Sequence, residues 1–216
     1  MKTKIGVLGG IGPESSAEFY KRLILEIQNK GIINKNSDYP HIIINSIPAE
    51  DLPMEGSKIN EYEKGIIDLE SFGCDFIVIV CNTAYVSYND FIKKVNIPII
   101  NLEDEVKNYF NKNNIDSFLV IGSSKTSKNL FNFNEIKKTT LNPDDEIKVD
   151  EIILKYNLGK DKENCTKELL EILSNYNYYN LLVACTELST ILKKSNIKFI
   201  DTMDILINST INYWKN

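Results

Sequence analysis

Short apolar runs alternate along the chain with longer stretches in which apolar residues recur every three or four positions. The runs are rich in Ile and Val and apolar on both faces, as is typical of buried strands in a parallel sheet. The longer stretches have the spacing of amphipathic helices. We therefore predict an α/β fold. The predicted strands are residues 5–9, 41–47, 76–81, 97–101, 118–122, a weaker one at 147–149, 181–185 and 197–200.

Particular residues mark both ends of the first predicted helix. Pro13 suits a first helical turn, and Glu14 interacts favourably with the positive end of the helix dipole. Phe19 and Ile27 belong to one apolar stripe, and Gly31 ends the pattern. Further helices are predicted on the same grounds at residues 58–72, 87–94, 103–111, 129–138, 166–173, 187–193 and 203–214.

The order of elements repeats in the two halves of the chain. A strand and a glycine turn open each half, at residues 5–24 and 118–131, and each half has a strand that ends in cysteine. This repeat predicts two pseudosymmetric lobes, each a short, mainly parallel sheet flanked by helices. The predicted lobes are residues 1–102, with the C-terminal helix 202–216 packing back on them, and residues 103–201.

The charge of the chain is slightly negative. Among its 216 residues 30 are acidic and 25 are basic, which gives a formal net charge of -5. The charges are interspersed, which argues against a face for nucleic acid or a membrane surface. No run approaches 18 apolar residues, and glycines interrupt the first apolar run before it reaches the length of a signal sequence. We expect a cytoplasmic protein with neither partner.

The cysteines and the glycine turn favour no metal or organic cofactor. Cys74, Cys81, Cys165 and Cys185 lie far apart, and His41 is the one histidine. This spacing suits neither a disulfide framework nor a zinc site. The turn GVLGGIG lacks the G-x-G-x-x-G spacing of a dinucleotide site, and the next strand does not end in an acidic residue.

Two of the cysteines occupy matching positions. Cys81 and Cys185 each follow a buried strand, and each precedes a threonine and a predicted helix start, in CNTA and CTEL. A buried cysteine is often only a small apolar side chain, but the repeat argues for a role. A helix N-terminus lowers the pKa of a thiol, and its free N–H groups can bind a carboxylate. We predict two thiols, each beside an anion site.

Such a pair can invert an α-carbon. With the α-carboxylate of an amino acid held by Asn82, Thr83 and Thr186, one thiolate can remove the α-proton and the other thiol can protonate the opposite face. No cofactor is required in principle. Donors aimed at the carboxylate must then stabilise the negative charge that develops there.

Nearly the whole chain resembles the cofactor-independent aspartate/glutamate racemase family. The resemblance rests on GVLGGIGPESSAEFYKRLI, VCNTA, VNIPIINLEDEV and ACTEL. It implies that Cys81 and Cys185 are the paired acid and base. It further implies two pseudosymmetric α/β lobes, a small amino-acid substrate and a homodimer. The substrate-binding positions implied are Asn82, Thr83, Ser123, Thr126, Thr186 and, as one of two alternatives, Glu187.

The chain departs from the family pattern where the substrate side chain would bind. Tyr85 replaces a frequent histidine. Aspartate-specific members carry an arginine and a lysine where Asp51 and Asn157 stand here. An amino acid with a neutral or basic side chain is therefore plausible, unless basic residues elsewhere compensate; the candidates are Arg22, Lys155 and Lys160.

Other interpretations stay open. The alternatives to racemisation are another reaction of the superfamily, such as decarboxylation, maleate-type isomerisation or hydantoin racemisation, and a non-catalytic carboxylate-binding protein. Glu187 either serves the dipole of its helix or orients the substrate ammonium group. Cys74 and Cys165 lack polar followers and are interpreted as packing residues.

Overall fold

Buried apolar strands form parallel sheets in the computed structural model, which describes residues 3–48, 50 and 59–215. The α/β prediction is confirmed. Packing divides the chain into two units. Unit 1 comprises Met1–Leu102 and Met203–Asn216, and unit 2 comprises Glu103–Thr202.

Unit 1 contains a parallel sheet with the strand order β2-β1-β3. The central strand pairs with β3 so that Leu8 lies opposite Ile79. Helix α1 begins at Pro13 as predicted, and Phe19, Leu23 and Ile27 form its buried stripe. The elements are β1 (Lys4–Gly9), α1 (Pro13–Asn29), β2 (His41–Ser46), α2 (Asn60–Ser71), β3 (Phe76–Ile79), α3 (Tyr88–Phe91) and most of α9 (Thr202–Lys215).

Unit 2 contains a parallel sheet with the strand order β5-β4-β6-β7. Strands β4 and β6 lie side by side at its centre, and their apolar residues are buried. The elements are α4 (Leu102–Lys112), β4 (Ser117–Gly122), α5 (Ser124–Asn129), β5 (Lys137–Thr139), α6 (Pro143–Asn157), α7 (Lys162–Ser174), β6 (Leu181–Ala184), α8 (Thr186–Leu192) and β7 (Ile200–Asp201).

Two predicted elements of unit 2 are wrong. The weak strand at 147–149 lies inside α6, because the Asn142 side chain caps that helix and Pro143 starts it. The predicted helix at 129–138 is replaced by a shorter α5 and by β5. Phe131 has a φ of 59°, a left-handed conformation that no helix continues through.

The predicted strand at 97–101 is reduced to a single bridge. Ile99 lies parallel to Ile77, and the Ile77 N–H donates to the Pro98 carbonyl at 2.9 Å. The Ile100 N–H donates to the Ile77 carbonyl at the same distance. The segment therefore covers the outer edge of β3 without forming a ladder.

Asp145 joins the start of α6 to the loop after α7. Its carboxylate accepts hydrogen bonds from Lys148 at 2.9 Å and from the Tyr176 hydroxyl at 2.8 Å. These bonds, that from Lys148 first, hold the pKa of Asp145 below its ordinary value. A lowered carboxyl pKa contributes stability above the unfolded pKa of about 4, and this contribution is lost as the pH falls through the folded value.

We expect Asp145→Ala to lower the free energy of unfolding by about 1–3 kcal/mol at pH 7, because charge-assisted hydrogen bonds are lost. The deficit should shrink as the pH falls from 5 to 2. Urea unfolding across this pH range measures it, with the exposed neighbour Asp144→Ala as the control. A deficit that does not change with pH would argue against the ionic role.

Candidate active site

Cys81 lies just beyond the carboxyl end of β3. The strand and Val80 are fully buried, whereas Cys81 is partly exposed. The Val80 N–H donates to the Leu8 carbonyl at 2.9 Å, so the chain is still paired with β1 one residue before the cysteine. The thiol therefore sits at the edge of the sheet where the parallel strands of unit 1 end.

The residues after Cys81 form a 3₁₀ turn, Thr83–Ser87, followed by the short helix α3. Tyr85 is buried, and its hydroxyl accepts a hydrogen bond from the Ile79 N–H at 3.4 Å. Its ring stacks on Tyr88, whose hydroxyl donates to the Ile99 carbonyl at 3.0 Å. Tyr85 thus packs the turn against the sheet.

Asn82 carries a buried acceptor. The residue is 6% exposed, and within the described residues its Oδ1 accepts no hydrogen bond. Leaving a buried amide oxygen unsatisfied costs about 1–3 kcal/mol. The adjoining Thr83 is also buried. Asn82 therefore has hydrogen-bonding capacity for a ligand next to Cys81.

The glycine turn after β1 is closed by a residue that the sequence analysis missed. The Ser16 hydroxyl accepts from the Gly10 N–H at 2.9 Å and donates to the Gly12 carbonyl at 3.3 Å. Gly10 has a φ of 92°, which favours glycine. A serine in the first turn of a helix after a glycine turn is the signal that could have identified it.

In unit 2, Ser123 follows β4 and caps α5. Its hydroxyl accepts from the Thr126 N–H at 3.2 Å and lies 2.9 Å from the Thr126 hydroxyl. The Ser124 N–H donates to the Asp150 carboxylate at 2.9 Å. Both predicted hydroxyls are buried and held in defined orientations, and Asp150 is a supporting residue that the sequence analysis missed.

Cys185 follows β6 directly and is the N-cap residue of α8. Its thiol donates to Oε2 of Glu187 at 3.2 Å, and the Thr186 hydroxyl donates to the same oxygen at 3.0 Å. All three side chains are buried. A thiol, a hydroxyl and a carboxylate are thus joined in one hydrogen-bonded group at the end of a strand.

The register of β4 and β6 brings Ser123 and Cys185, each the first residue of a polar group, to neighbouring positions. Gly122 at the end of β4 lies opposite Ala184 at the end of β6. The next residues are Ser123 and Cys185, and adjacent strands lie about 4.8 Å apart. Gly122 has no room for a side chain, because a Cβ there would stand 2.7 Å from the Ala184 carbonyl oxygen.

The expectation of a lowered thiol pKa is wrong for Cys185. Burial raises the pKa of this thiol well above its ordinary value, and the negative charge of Glu187 raises it further. Hydrogen bonds from the backbone of Leu188 and Glu187 lower it, but they do not offset burial. Because α8 spans only seven residues, its dipole is a weak counterweight. Cys185 is therefore a thiol at neutral pH.

Residues 8–210 match the family described as Asp/Glu/Hydantoin racemase. The chain belongs to this family. The resemblance identified from the sequence motifs is therefore confirmed.

A curated relative of this racemase-family chain is the broad specificity amino-acid racemase RacX of Bacillus subtilis. The two are 35% identical over 108 residues, which is 47% of this chain and 46% of RacX. The match thus spans about half the length of that relative.

Solved structures of racemases share the fold. The aspartate racemase of Picrophilus torridus aligns with a TM-score of 0.80 and 22% identity, over 99% of this chain and 94% of that one. An aspartate racemase homologue from Pyrococcus horikoshii aligns with a TM-score of 0.74 and 21% identity, over the full length of both chains. At these identities the likeness concerns the fold.

Two of the three basic residues considered as partners for a second substrate carboxylate are paired with carboxylates of the protein. Arg22 pairs with Glu18 at 2.9 Å and with Asp204 at 3.3 Å. Lys155 lies 4.0 Å from Glu151 and 3.8 Å from Glu168. Lys160 is exposed and Asn157, at the end of α6, is partly exposed. Asp51 lies outside the described residues.

A second layer of polar contacts supports α8. The Ser189 hydroxyl donates to the Asp201 carboxylate at 2.6 Å, and Lys193 lies 3.8 Å from the same oxygen. The Thr202 hydroxyl donates to the Val183 carbonyl at 3.0 Å. An acidic residue at the end of a strand was the available signal for Asp201, which the sequence analysis did not single out.

The remaining candidates do not join the site groups of their units. Cys74 and Cys165 are buried, and burial raises the pKa of both thiols. His41 is exposed at the start of β2. Within residues 3–48, 50 and 59–215, no cluster of His, Cys, Asp and Glu has the arrangement of a metal site. Over the same ranges no helix is long and apolar enough to cross a membrane.

Proposed function

We propose that this chain is a cofactor-independent amino-acid racemase in which Cys81 and Cys185 act on opposite faces of one α-carbon. The main support is the repeated site: in each unit a cysteine follows the buried strand next to the glycine-turn strand. Membership of the racemase family supports the same function. The two units correspond in this proposal to the two lobes of the enzyme.

Racemisation by two cysteines requires that one is a thiolate and the other a thiol when the substrate binds. In one direction the Cys81 thiolate takes the α-proton, and the S–H bond of Cys185 supplies the proton on the other face. In the reverse direction the roles exchange. The hydrogen bond from Cys185 to Glu187 supports its role as the thiol member of the substrate-free pair.

The α-amino and α-carboxylate groups are assigned to the polar residues beside the cysteines. The buried Oδ1 of Asn82 suits a donor such as an ammonium group. The hydroxyls of Thr83, Ser123 and Thr126 suit the carboxylate, where donors stabilise the charge that develops as the α-proton leaves. The Thr186 hydroxyl joins them when its hydrogen turns from Glu187 to the substrate. Glu187 completes the proposed set of site residues.

The proposed substrate has a neutral or basic side chain. Arg22 and Lys155 are paired with carboxylates of the protein, and Asn157 has no charge with which to bind a second carboxylate. RacX, which matches this chain over part of its length, is described as having broad specificity. Both observations favour a side-chain pocket that does not require an acid.

We expect kcat/KM for at least one neutral or basic amino acid to exceed that for aspartate and glutamate by about tenfold or more, because an acidic side chain would find no basic partner in the proposed pocket. A tenfold ratio corresponds to about 1.4 kcal/mol. Chiral chromatography with a panel of single enantiomers measures it. Preference for aspartate would contradict the assigned side-chain specificity while leaving the racemase proposal in place.

We further propose a cytoplasmic homodimer, which the family resemblance implies. Light scattering coupled to size exclusion should give about twice the chain mass of 24.7 kDa. A monomer that is fully active at micromolar concentration would contradict the dimer.

A further inference from the structure

The Cys185 thiol donates its hydrogen bond to a carboxylate, that of Glu187. Oε2 of Glu187 accepts from both the Cys185 thiol and the Thr186 hydroxyl, at 3.2 and 3.0 Å. Cys185 and Glu187 are each 8% exposed, so water screens their interaction poorly. A carboxylate in this position favours the protonated thiol and opposes the thiolate.

Two other charged side chains near α8, those of Asp201 and Lys193, lie close to one another. Asp201 of β7 accepts from Ser189 and lies 3.8 Å from Lys193. Helices α6 and α7, which pack on α8, contribute Tyr156 and Cys165 to the same core cluster together with apolar residues. Among the described residues, Glu187 therefore supplies the charge that acts most directly on the thiol.

We propose that Glu187 is a positioning residue that holds Cys185 as the proton donor of the pair in the substrate-free protein. This inference rests on the proposed racemase function for its catalytic meaning. The pair is then not equivalent at rest: one enantiomer meets a ready acid at Cys185, and the other requires that thiol to lose its proton first.

The proton movements balance without a further reagent. When Cys185 acts as acid, its S–H bond breaks and a new Cα–H bond forms, which leaves a thiolate beside the Glu187 carboxylate. Two adjacent negative charges are unfavourable, so this thiolate is a strong base. It regains a proton either from the α-carbon in the reverse reaction or from water after product release.

The test is the pH dependence of Cys185 alkylation in the substrate-free protein. Iodoacetamide labelling is followed at Cys185 by peptide mass spectrometry from pH 6 to 11, in the wild type, Glu187→Gln and Glu163→Gln. Glu163 lies in the first turn of α7 with its side chain 86% exposed, and it is the matched control.

We expect the midpoint for Cys185 to fall by about one pH unit in Glu187→Gln, because the opposing charge is removed. Labelling at pH 8 should accelerate by at least about threefold, since the larger thiolate fraction outweighs its lower nucleophilicity. Glu163→Gln should match the wild type. An unchanged midpoint in Glu187→Gln overturns the proposal.

Two further measurements separate this role from folding and from the racemase proposal. If Glu187→Gln fails to fold, Glu187→Asp, which keeps the charge on a shorter side chain, should give a smaller downward shift, and no shift overturns the proposal. The alkaline limb of kcat/KM should move to lower pH in Glu187→Gln. Labelling needs no substrate, so a wild type without racemase activity refutes the function alone.

Discussion

Replacement of Cys81 or Cys185 by alanine is expected to lower the rate of racemisation by about 1000-fold in both directions. General acid–base groups contribute about 10²–10⁴-fold, and inversion requires one group on each face of the α-carbon. Neither substitution should disturb the fold strongly, because each cysteine lies at the end of a strand. Chiral chromatography of the reaction, with circular dichroism of each variant, measures both effects.

The matched control for this loss is Cys74→Ala. Cys74 is a buried thiol of unit 1, where its Sγ would lie 3.1 Å from a Cβ placed on Gly6. We expect this variant to lose stability through the cavity it creates and to keep its activity. A single variant of Cys81 or Cys185 that kept more than a tenth of the wild-type rate would contradict the two-base mechanism.

Gly122→Ala is expected to have the second largest effect. The added Cβ would lie 2.7 Å from the Ala184 carbonyl oxygen and 3.3 Å from the side chain of Thr126. Strands β4 and β6 must separate to admit it, at a cost of about 1–3 kcal/mol. The same movement displaces Ser123 and Cys185, so we expect kcat/KM to fall by at least about tenfold. Urea unfolding and the racemisation assay measure the two effects.

Gly31→Ala is the control for Gly122→Ala, because it changes backbone strain without crowding the added Cβ. Gly31 has a φ of 64°, but a Cβ there meets no atom within 4 Å. We expect a loss of about 1 kcal/mol from the left-handed conformation, with unchanged activity. If Gly122→Ala behaved in the same way as this control, the close approach of β4 and β6 would not govern the geometry of the site.

The sequence predicted the elements whose residues are apolar on both faces. The strands that precede Cys81 and Cys185 were predicted because Phe76–Ile79 and Leu181–Ala184 are continuous apolar runs. The wrong secondary-structure predictions arose where a helix-start signal or a backbone turn competed with the pattern of apolar residues. Asn142 and Pro143 start a helix across the apparent strand at 147–149, and Phe131 ends one with a positive φ.

The candidate site could be predicted only as a set of residue types at strand ends. The repeated cysteine and threonine pattern identified Cys185, but its pKa depends on burial and on the rotamer of Glu187, which the sequence does not determine. The supporting contact of Asp150 was missed for a similar reason, because the fold brings it to Ser124 across 26 residues. Ser16 and Asp201 bond residues 6 and 12 positions away, and their local signals were overlooked.

Exchange of the α-proton with solvent tests the central claim most directly. Proton NMR would follow single-enantiomer amino acids with the wild-type protein in deuterated buffer, in the presence of EDTA and hydroxylamine to remove metals and pyridoxal phosphate. We expect at least one amino acid to lose its α-proton signal and its optical purity together, at the same rate with and without EDTA and hydroxylamine. Retention of the α-proton across the whole panel at high protein concentration would contradict the account.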